Sequence, residues 1–475
     1  MKLKSPVGTR DIVAPESWIW AEVISEFGRN CGNAGYDWLL TPIFEDTQVF
    51  QRAVGGSTDI VQKEMYDFQD KSGRNFSLRP EETAGVVRSF IEHRPSILPW
   101  KVHYWGPMFR YERPQSGRYR QFYQLGIEAL GVEDPSLDVE VISILWDFLA
   151  DLGITSMTLR INSLGDALCR ENYLESLHNF LLTKQTSLCD AHRDRISENP
   201  QRVLDCKTQQ CIEATRGAPE HYLFLCDPCR DHFEAVKEQL GAMGIPFVHD
   251  PRLVRGLDYY TRTTFEISSS ILEGAQNALG GGGRYDGLVE EMGGPPTPAI
   301  GFSIGLERLV SALGFDSASK VTLTYSEKIP QIFVVDLAQR GPANLLFREL
   351  RRNNMRVMCE YGRRSAKAQF RSADRSQASI AIIVGQEEAD RQCVVVRPLK
   401  HKEILLPLIE SYGKSDEEAN MQGLKASDQI PGFQLQSGQA EIGIDKVVGL
   451  LSSVLLPALP TSRVANSTSV IGIGT

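Results

Sequence analysis

Hydrophobic positions along this chain follow two periods, and the places where the period changes divide it. Ile142, Leu145, Trp146, Leu149 and Leu152 recur at helical spacing. Met157, Leu159 and Ile161 then alternate with Thr158, Arg160 and Asn162, the mark of a half-buried strand. Residues 1–162 therefore predict an antiparallel sheet with helices on one side. Over 163–243 the pattern turns helical, charged and cysteine-bearing, with Phe233, Val236, Leu240 and Met243 on one face. This stretch predicts a helical insertion. Strands and Gly-rich turns return over 244–320 and end in a helix carrying Leu306, Leu309, Val310 and Leu313.

From Gln331 the pattern changes again. Ile332–Val335, Arg356–Cys359 and Ser379–Gly385 predict strands, separated by helices over 342–353 and 365–376. Such βαβαβ alternation implies a parallel sheet covered by helices, a separate α/β domain over 330–457. Residues 458–475 are rich in Ser and Gly and are expected to be disordered. The whole reads as an α+β core, 1–162 and 244–320, interrupted by a helical insertion and followed by an α/β domain.

Composition narrows the class. Hydrophobic content of 42% and charged content of 23% suit a soluble globular protein of 475 residues. The N-terminus has charges without an apolar run, so a secretory leader is not expected. The most apolar stretch, Val447–Leu459, is short and interrupted by two serines, so no membrane span is expected. The cytoplasm is the expected location. A net charge of −9 argues against a general nucleic-acid coat, yet Arg348–Arg375 holds nine Lys/Arg against three acids. The nine cysteines do not suggest a disulfide framework. Cys206-x4-Cys211 and Cys226-x2-Cys229 are the four whose spacing would suit one zinc ion, although the CxxxxC half is the weaker signal and reduced structural thiols are the favoured reading.

Candidate chemistry lies in four places. Arg79-Pro-Glu-Glu-Thr83 follows a strand and offers acceptors for an ammonium group, or simply begins a helix. Gly106–Gln124 reads as strand, loop, strand, with Arg110, Arg113, Arg118 and Arg120 close enough to repel unless an anion joins them. Gln124 and Glu128 stand four apart on the second strand and so share a face. Arg255-Gly-Leu-Asp-Tyr-Tyr-Thr261 and Gly281-Gly-Gly-Arg-Tyr-Asp-Gly-Leu288 add a cation, carboxylates and phenols. Gly301–Arg308 runs from a strand into a helix and puts Arg308 in its first turns, where phosphate is favoured.

The segments at 79–83, 106–128 and 301–308 occur in the order of class II aminoacyl-tRNA synthetases. Residues 5–315 resemble histidyl-tRNA synthetases almost continuously, from Gly8–Asp11 and Thr41–Glu45 through Phe109–Pro114 to Arg255–Thr261 and Gly282–Asp286. Beyond Gln331 the chain resembles their anticodon-binding domain.

The resemblance implies a histidine–tRNA ligase that uses ATP with Mg2+, joins L-histidine to tRNA-His and works as a homodimer. It implies histidine contacts at Glu81, Thr83, Gln124, Glu128, Tyr259 and Tyr260, with Glu82 beside them. Arg110, Glu112 and Arg308 would bind ATP, and Arg255 would face Arg110 across the α-phosphate as the second catalytic arginine. Arg113 and Gln115 would meet the tRNA acceptor end. No protein ligands for a catalytic metal are implied.

Three departures from the family pattern stand out. Glu82 replaces a small or neutral residue, Gly281 replaces alanine, and an insertion occupies about 403–437. Two other activities share parts of this pattern: the histidine-sensing regulatory subunit of ATP phosphoribosyltransferase, and a synthetase-like paralogue with another acceptor.

Overall fold

The computed structural model describes residues 3–313, 331–399, 435–436, 439–443, 446–449 and 451, apart from 56–57, 59, 114–117, 195, 198, 205, 207, 273–276, 339–340 and 363. It divides into two compact units, Met1–Thr322 and Leu323–Thr475.

The first unit is built on a sheet of eight strands. In chain order these are β1 (Asp37–Trp38), β5 (Trp100–Phe109), β6 (Gln121–Leu130), β7 (Met157–Ser163), β8 (Phe247–His249), β9 (Thr261–Ser269), β10 (Ala278–Arg284) and β11 (Ala299–Gly305). The spatial order is β1-β5-β6-β11-β10-β9-β7-β8. The central pairings are antiparallel, as expected, and both edges are parallel, β1 on β5 and β7 on β8. A small sheet of β2 (Phe44–Asp46), β3 (Tyr66–Gln69) and β4 (Asn75–Leu78) stands beside it, in the order β2-β4-β3.

Period-2 alternation on β6 sets the two faces of the large sheet. Leu125, Ile127 and Ala129 enter a core with α1 (Glu16–Asn33), α4 (Pro135–Asp151) and α10 (Leu306–Leu313). Helix α4 begins where Asp134 accepts a hydrogen bond from the Ser136 N–H and Pro135 supplies a preset φ. On the opposite face Leu130 joins a second core with α2 (Thr47–Val54), α3 (Thr83–His93) and α9 (Leu288–Glu291), so helices cover both faces rather than one.

The stretch between β7 and β8 is helical, with α5 (Ala167–Thr183), α6 (Asp190–Arg193), α7 (Gln209–Ala214) and α8 (Asp227–Ala242). Its helices reach both cores. Phe233, Val236 and Leu240 of α8 belong to the main core beside α4, whereas α5 and α7 pack into the second core. Helix α8 buries its apolar stripe on the main core.

One fully buried ion pair locks this unit. Arg284 at the end of β10 is 0% exposed and gives its Nε to Asp138 Oδ1 at 2.7 Å. Its other nitrogens donate to the carbonyls of Val132, Glu133 and Asp134. His232 holds the second oxygen of Asp138 at 2.8 Å. Every polar group of the cluster is matched, as burial of charge demands.

The second unit carries β12 (Ile332–Asp336), α11 (Gly341–Arg352), β13 (Val357–Cys359), α12 (Ala366–Ser376), β14 (Ile380–Val384), α13 (Gln386–Asp390) and β15 (Cys393–Pro398). Two further strands, β16 (Leu435–Gln436) and β17 (Gln439–Gly443), complete the order β13-β12-β14-β15-β17-β16. The predicted βαβαβ trio is parallel, and β15, β17 and β16 add antiparallel to it. Residues 403–434 of the expected insertion and the tail from 458 lie outside the described residues.

Candidate active site

The second face of the large sheet opens into a cavity of about 320 Å³. Strand β6 supplies its floor. Gln124 and Glu128 both line it, as their four-residue spacing requires. Register places Gly305 of β11 beside Gln124 and Gly301 beside Glu128. The absence of a side chain at 301 is what admits the carboxylate: a Cβ there would lie 1.7 Å from Glu128 Oε2.

Glu128 is buried and held at both oxygens. Thr83 donates its hydroxyl to Oε1 at 2.8 Å, and Tyr285 donates to Oε2 at 2.6 Å. Glu81 sits at the start of α3, where its carboxylate accepts from the N–H groups of Thr83 and Ala84 at 2.9 and 2.8 Å. It thus caps the helix and faces the cavity. Burial pushes the Glu128 carboxyl up to about 8, although the hydrogen bonds from Tyr285 and Thr83 oppose the rise. Burial raises Glu81 as well. Gln124 gives its amide N–H to Ser303 Oγ at 3.4 Å, and its Oε1 is buried without a hydrogen-bond partner. The site is short of positive charge and of one donor.

Tyr259 and Tyr260 form the adjoining wall, their rings 4.7 Å apart at the centroids. The Arg255 guanidinium lies 5.9 Å from the Tyr260 ring centre and donates to Glu266 Oε2 at 3.0 Å. Its Nε is buried and has no partner. Across the cavity Arg110 donates Nε to the Pro80 carbonyl at 3.0 Å and covers Phe122. Glu112 pairs with Arg118 at 3.1 Å. Arg308, near the start of α10, lines the same cavity and reaches the Ala278 carbonyl at 3.4 Å. Burial, and then the cations Arg118 and Arg110, lower its affinity for its own proton. The cavity is therefore lined by the buried carboxylates Glu81 and Glu128 and by three arginines, Arg110, Arg255 and Arg308.

Residues 8–309 match the family model described as histidyl-tRNA synthetase, and 331–410 match the one described as anticodon binding domain. This chain belongs to the histidyl-tRNA synthetase family. It is 45% identical over 420 residues to a histidine–tRNA ligase of Halothermothrix orenii, covering 87% of this chain and all of that one. The crystal structure of apo S. aureus histidyl-tRNA synthetase aligns with a TM-score of 0.72 at 32% identity, over 95% of this chain and 100% of the other. A Bacillus halodurans structure titled as an ATP phosphoribosyltransferase regulatory subunit/histidyl-tRNA synthetase shares the fold, with a TM-score of 0.60 at 22% identity over 81% of this chain and 99% of that one.

Within this family frame, the structure redistributes several expected residues. Glu82 does not face the cavity. It is buried in an ion pair with Arg79 at 2.7 Å and accepts from the Thr41 hydroxyl. The reason is the turn into α3, which aims Glu81 and Glu82 in different directions. Arg113 is exposed, and Gln115 lies outside the described residues. The four cysteines do not form one set: Cys206 and Cys211 gather with Cys189 and His192, whereas Cys226 and Cys229 gather with Asp166 and Cys169. Two residues missing from the expected site hold its charged members, Tyr285 on Glu128 and Glu266 on Arg255. Tyr285 lies within Gly282–Asp286, a segment that carries the family resemblance, so the sequence holds a signal for it. Glu266 had none, because only the register of β9 brings it to Arg255.

Segment 255–261 is also held from outside the core. Arg170 of α5 donates Nη1 to the carbonyls of Asp258 and Tyr260 at 3.1 and 3.5 Å and its Nη2 to Gln201. Asn199 donates to the Asp258 carboxylate at 3.1 Å.

Proposed function

We infer that the chain is a histidine–tRNA ligase, which forms histidyl-adenylate from L-histidine and MgATP and passes histidine to the 3′ end of tRNA-His. The observation that carries the catalytic reading is one cavity lined both by a buried, doubly hydrogen-bonded carboxylate, Glu128, and by Arg110, Arg255 and Arg308. A nitrogenous cation suits the carboxylates and a nucleotide polyphosphate the arginines.

In this reading Glu81, Thr83 and Gln124 hold the ammonium group of histidine. Glu128 accepts an imidazole N–H, with Tyr259 and Tyr260 against the ring. An apolar amino acid offers no N–H to this buried carboxylate, which is how such a site rejects it. The substrate carboxylate attacks the α-phosphorus, and pyrophosphate leaves. Charge grows on the α-phosphate oxygens in that step, and the fixed guanidinium groups of Arg110 and Arg255 stabilise it. The unpartnered Arg255 Nε supports this, since a buried N–H needs an acceptor. Arg308 serves the γ-phosphate and Glu112 the nucleotide, while Arg113 and Gln115 meet the acceptor end. Mg2+ enters with ATP as part of the substrate. No general base is needed, because the attacking carboxylate is ionised at neutral pH.

The second unit supports tRNA binding. Arg348, Arg351, Arg352, Lys367, Arg371 and Arg375 on α11 and α12 are exposed, a surface suited to phosphates. We also propose a homodimer in the cytoplasm. Trp38, Leu40 and Phe44 are 58%, 64% and 50% exposed at and beyond the edge strand β1, an apolar edge that a second copy would cover. Among the described residues no helix is long and apolar enough to cross a membrane.

A histidine sensor on the same fold is the competing reading, and the three cavity arginines oppose it. Histidine-dependent ATP–pyrophosphate exchange and charging of tRNA-His test the proposal. A folded dimer lacking both activities overturns it. Exchange without charging replaces it with a paralogue that serves another acceptor.

A further inference from the structure

Cys189, His192, Cys206 and Cys211 come from three consecutive pieces of the insertion: Cys189 and His192 at α6, Cys206 in the connection, and Cys211 on α7. One ligand atom from each lies within 4.8 Å of all the others. Cys189 Sγ is 3.2 Å from His192 Nδ1 and 4.0 Å from Cys206 Sγ. A tetrahedral zinc ion with Zn–S bonds of about 2.3 Å sets sulfur atoms about 3.8 Å apart, close to the 4.0 Å between Cys189 Sγ and Cys206 Sγ. None of the nine cysteines is in a disulfide.

The surroundings fit a metal better than a thiol cluster. The Cys189 N–H donates to Cys211 Sγ at 3.4 Å, and Thr208 Oγ1 lies 3.2 Å from Cys206 Sγ. Hydrogen bonds of this kind stabilise thiolate ligands. Arg193 donates to the Leu188 carbonyl at 3.2 Å beside the cluster, and its buried Nε has no partner. A cation there suits three thiolates and an imidazole around Zn2+, which together carry one net negative charge. The other cysteine group is a weaker candidate: its Asp166 carboxylate already accepts from the Cys169 N–H to begin α5.

We propose that Cys189, His192, Cys206 and Cys211 bind one structural zinc ion that ties α6 to α7. Four protein ligands close the shell, so the site is structural rather than catalytic. The pieces it joins are short, and α6 and α7 span only Asp190–Arg193 and Gln209–Ala214. Short segments with little core of their own are where a metal contributes most to folding. The cluster is independent of the catalytic reading and would stand if that reading failed.

The test uses the full chain, purified without a polyhistidine tag from zinc-supplemented cells. Elemental analysis should find zinc in the wild type. Cys206→Ser and Cys211→Ser should each lose about one equivalent, and Cys229→Ser should keep it. After zinc is removed with a chelator, Co2+ titration of the wild type should give thiolate-to-cobalt charge transfer and tetrahedral d–d bands. His192→Cys should keep these bands at a shifted wavelength. The cobalt reading needs no variant that folds poorly. A wild type with no zinc above background and no tetrahedral cobalt bands overturns the proposal. So does a zinc content that Cys229→Ser abolishes while Cys206→Ser and Cys211→Ser leave it unchanged.

Discussion

Tyr285 donates its phenolic hydrogen to Glu128 Oε2 at 2.6 Å across a sequence separation of 157 residues. This bond opposes the burial that pushes the Glu128 carboxyl up to about 8. Tyr285→Phe removes it, so the Glu128 pKa should rise further. Histidine affinity should then fall about tenfold at pH 7 and recover in part as the pH rises, because the acceptor form of Glu128 returns. Histidine KM measured between pH 6.5 and 9 checks this. A KM ratio of variant to wild type that is flat with pH would contradict it.

The same carboxyl makes a stability prediction. Its folded pKa lies above its unfolded value of about 4.3, so the folded state holds the proton more tightly. The ligand-free protein should lose this contribution as pH rises from about 4.3 through about 8. Glu128→Gln should therefore gain melting temperature relative to wild type at pH 8.5 compared with pH 5.5, while losing histidine-dependent exchange. Equal Tm differences at both pH values would remove the premise.

Gly301→Ala should damage the site through sterics alone. Its Cβ would lie 1.7 Å from Glu128 Oε2 and 2.4 Å from the Ile127 carbonyl oxygen. Overpacking of this kind costs about 1–3 kcal/mol. Exchange activity should fall about a hundredfold or more, with a Tm loss of several degrees. Retained histidine affinity by calorimetry would show that Glu128 can move aside.

Arg255→Ala should separate binding from chemistry. Loss of one charge-stabilising group costs about 2.7–4 kcal/mol, or 10²–10³ in adenylate formation, while the histidine dissociation constant should change little. Glu266→Gln, which frees the guanidinium from its partner, should show a smaller kinetic loss of the same kind. Equal losses in binding and rate for Arg255→Ala would argue against its proposed position at the α-phosphate.

Glu82→Gln tests the placement of Glu82 away from the cavity. It leaves Arg79 buried without a counter-charge, and breaking a buried pair costs about 3–5 kcal/mol. Thermal stability should drop clearly, and histidine KM should stay near the wild-type value. A large KM change at unchanged Tm would return Glu82 to the substrate.

What could be read in advance followed local periodicity. The alternation on β6 put Gln124 and Glu128 on one face, and the βαβαβ trio of the second unit appeared where its apolar runs predicted. What could not be read depended on long-range register or on the direction of a turn. Glu81 and Glu82 are neighbours, yet one caps α3 beside the cavity and the other pairs with Arg79. The cysteines looked like one set of four because spacing along the chain says nothing about which pairs meet. Cys189 and Cys169, which complete the two groups, sit far from any CxxC pattern. Which core takes the apolar stripe of α8 was equally a matter of tertiary packing.

The bonds from Arg170 and Asn199 to segment 255–261 limit how this protein can be recombined with its relatives. A chimaera that swaps residues 165–215 for a relative's segment exchanges a splint for the substrate-facing backbone as well as a peripheral element. Such a graft should succeed only when the donor brings its own groups for the Asp258 and Tyr260 carbonyls. Substitutions at Arg170 and Asn199 therefore reach the backbone of 255–261 without changing a side chain of the cavity.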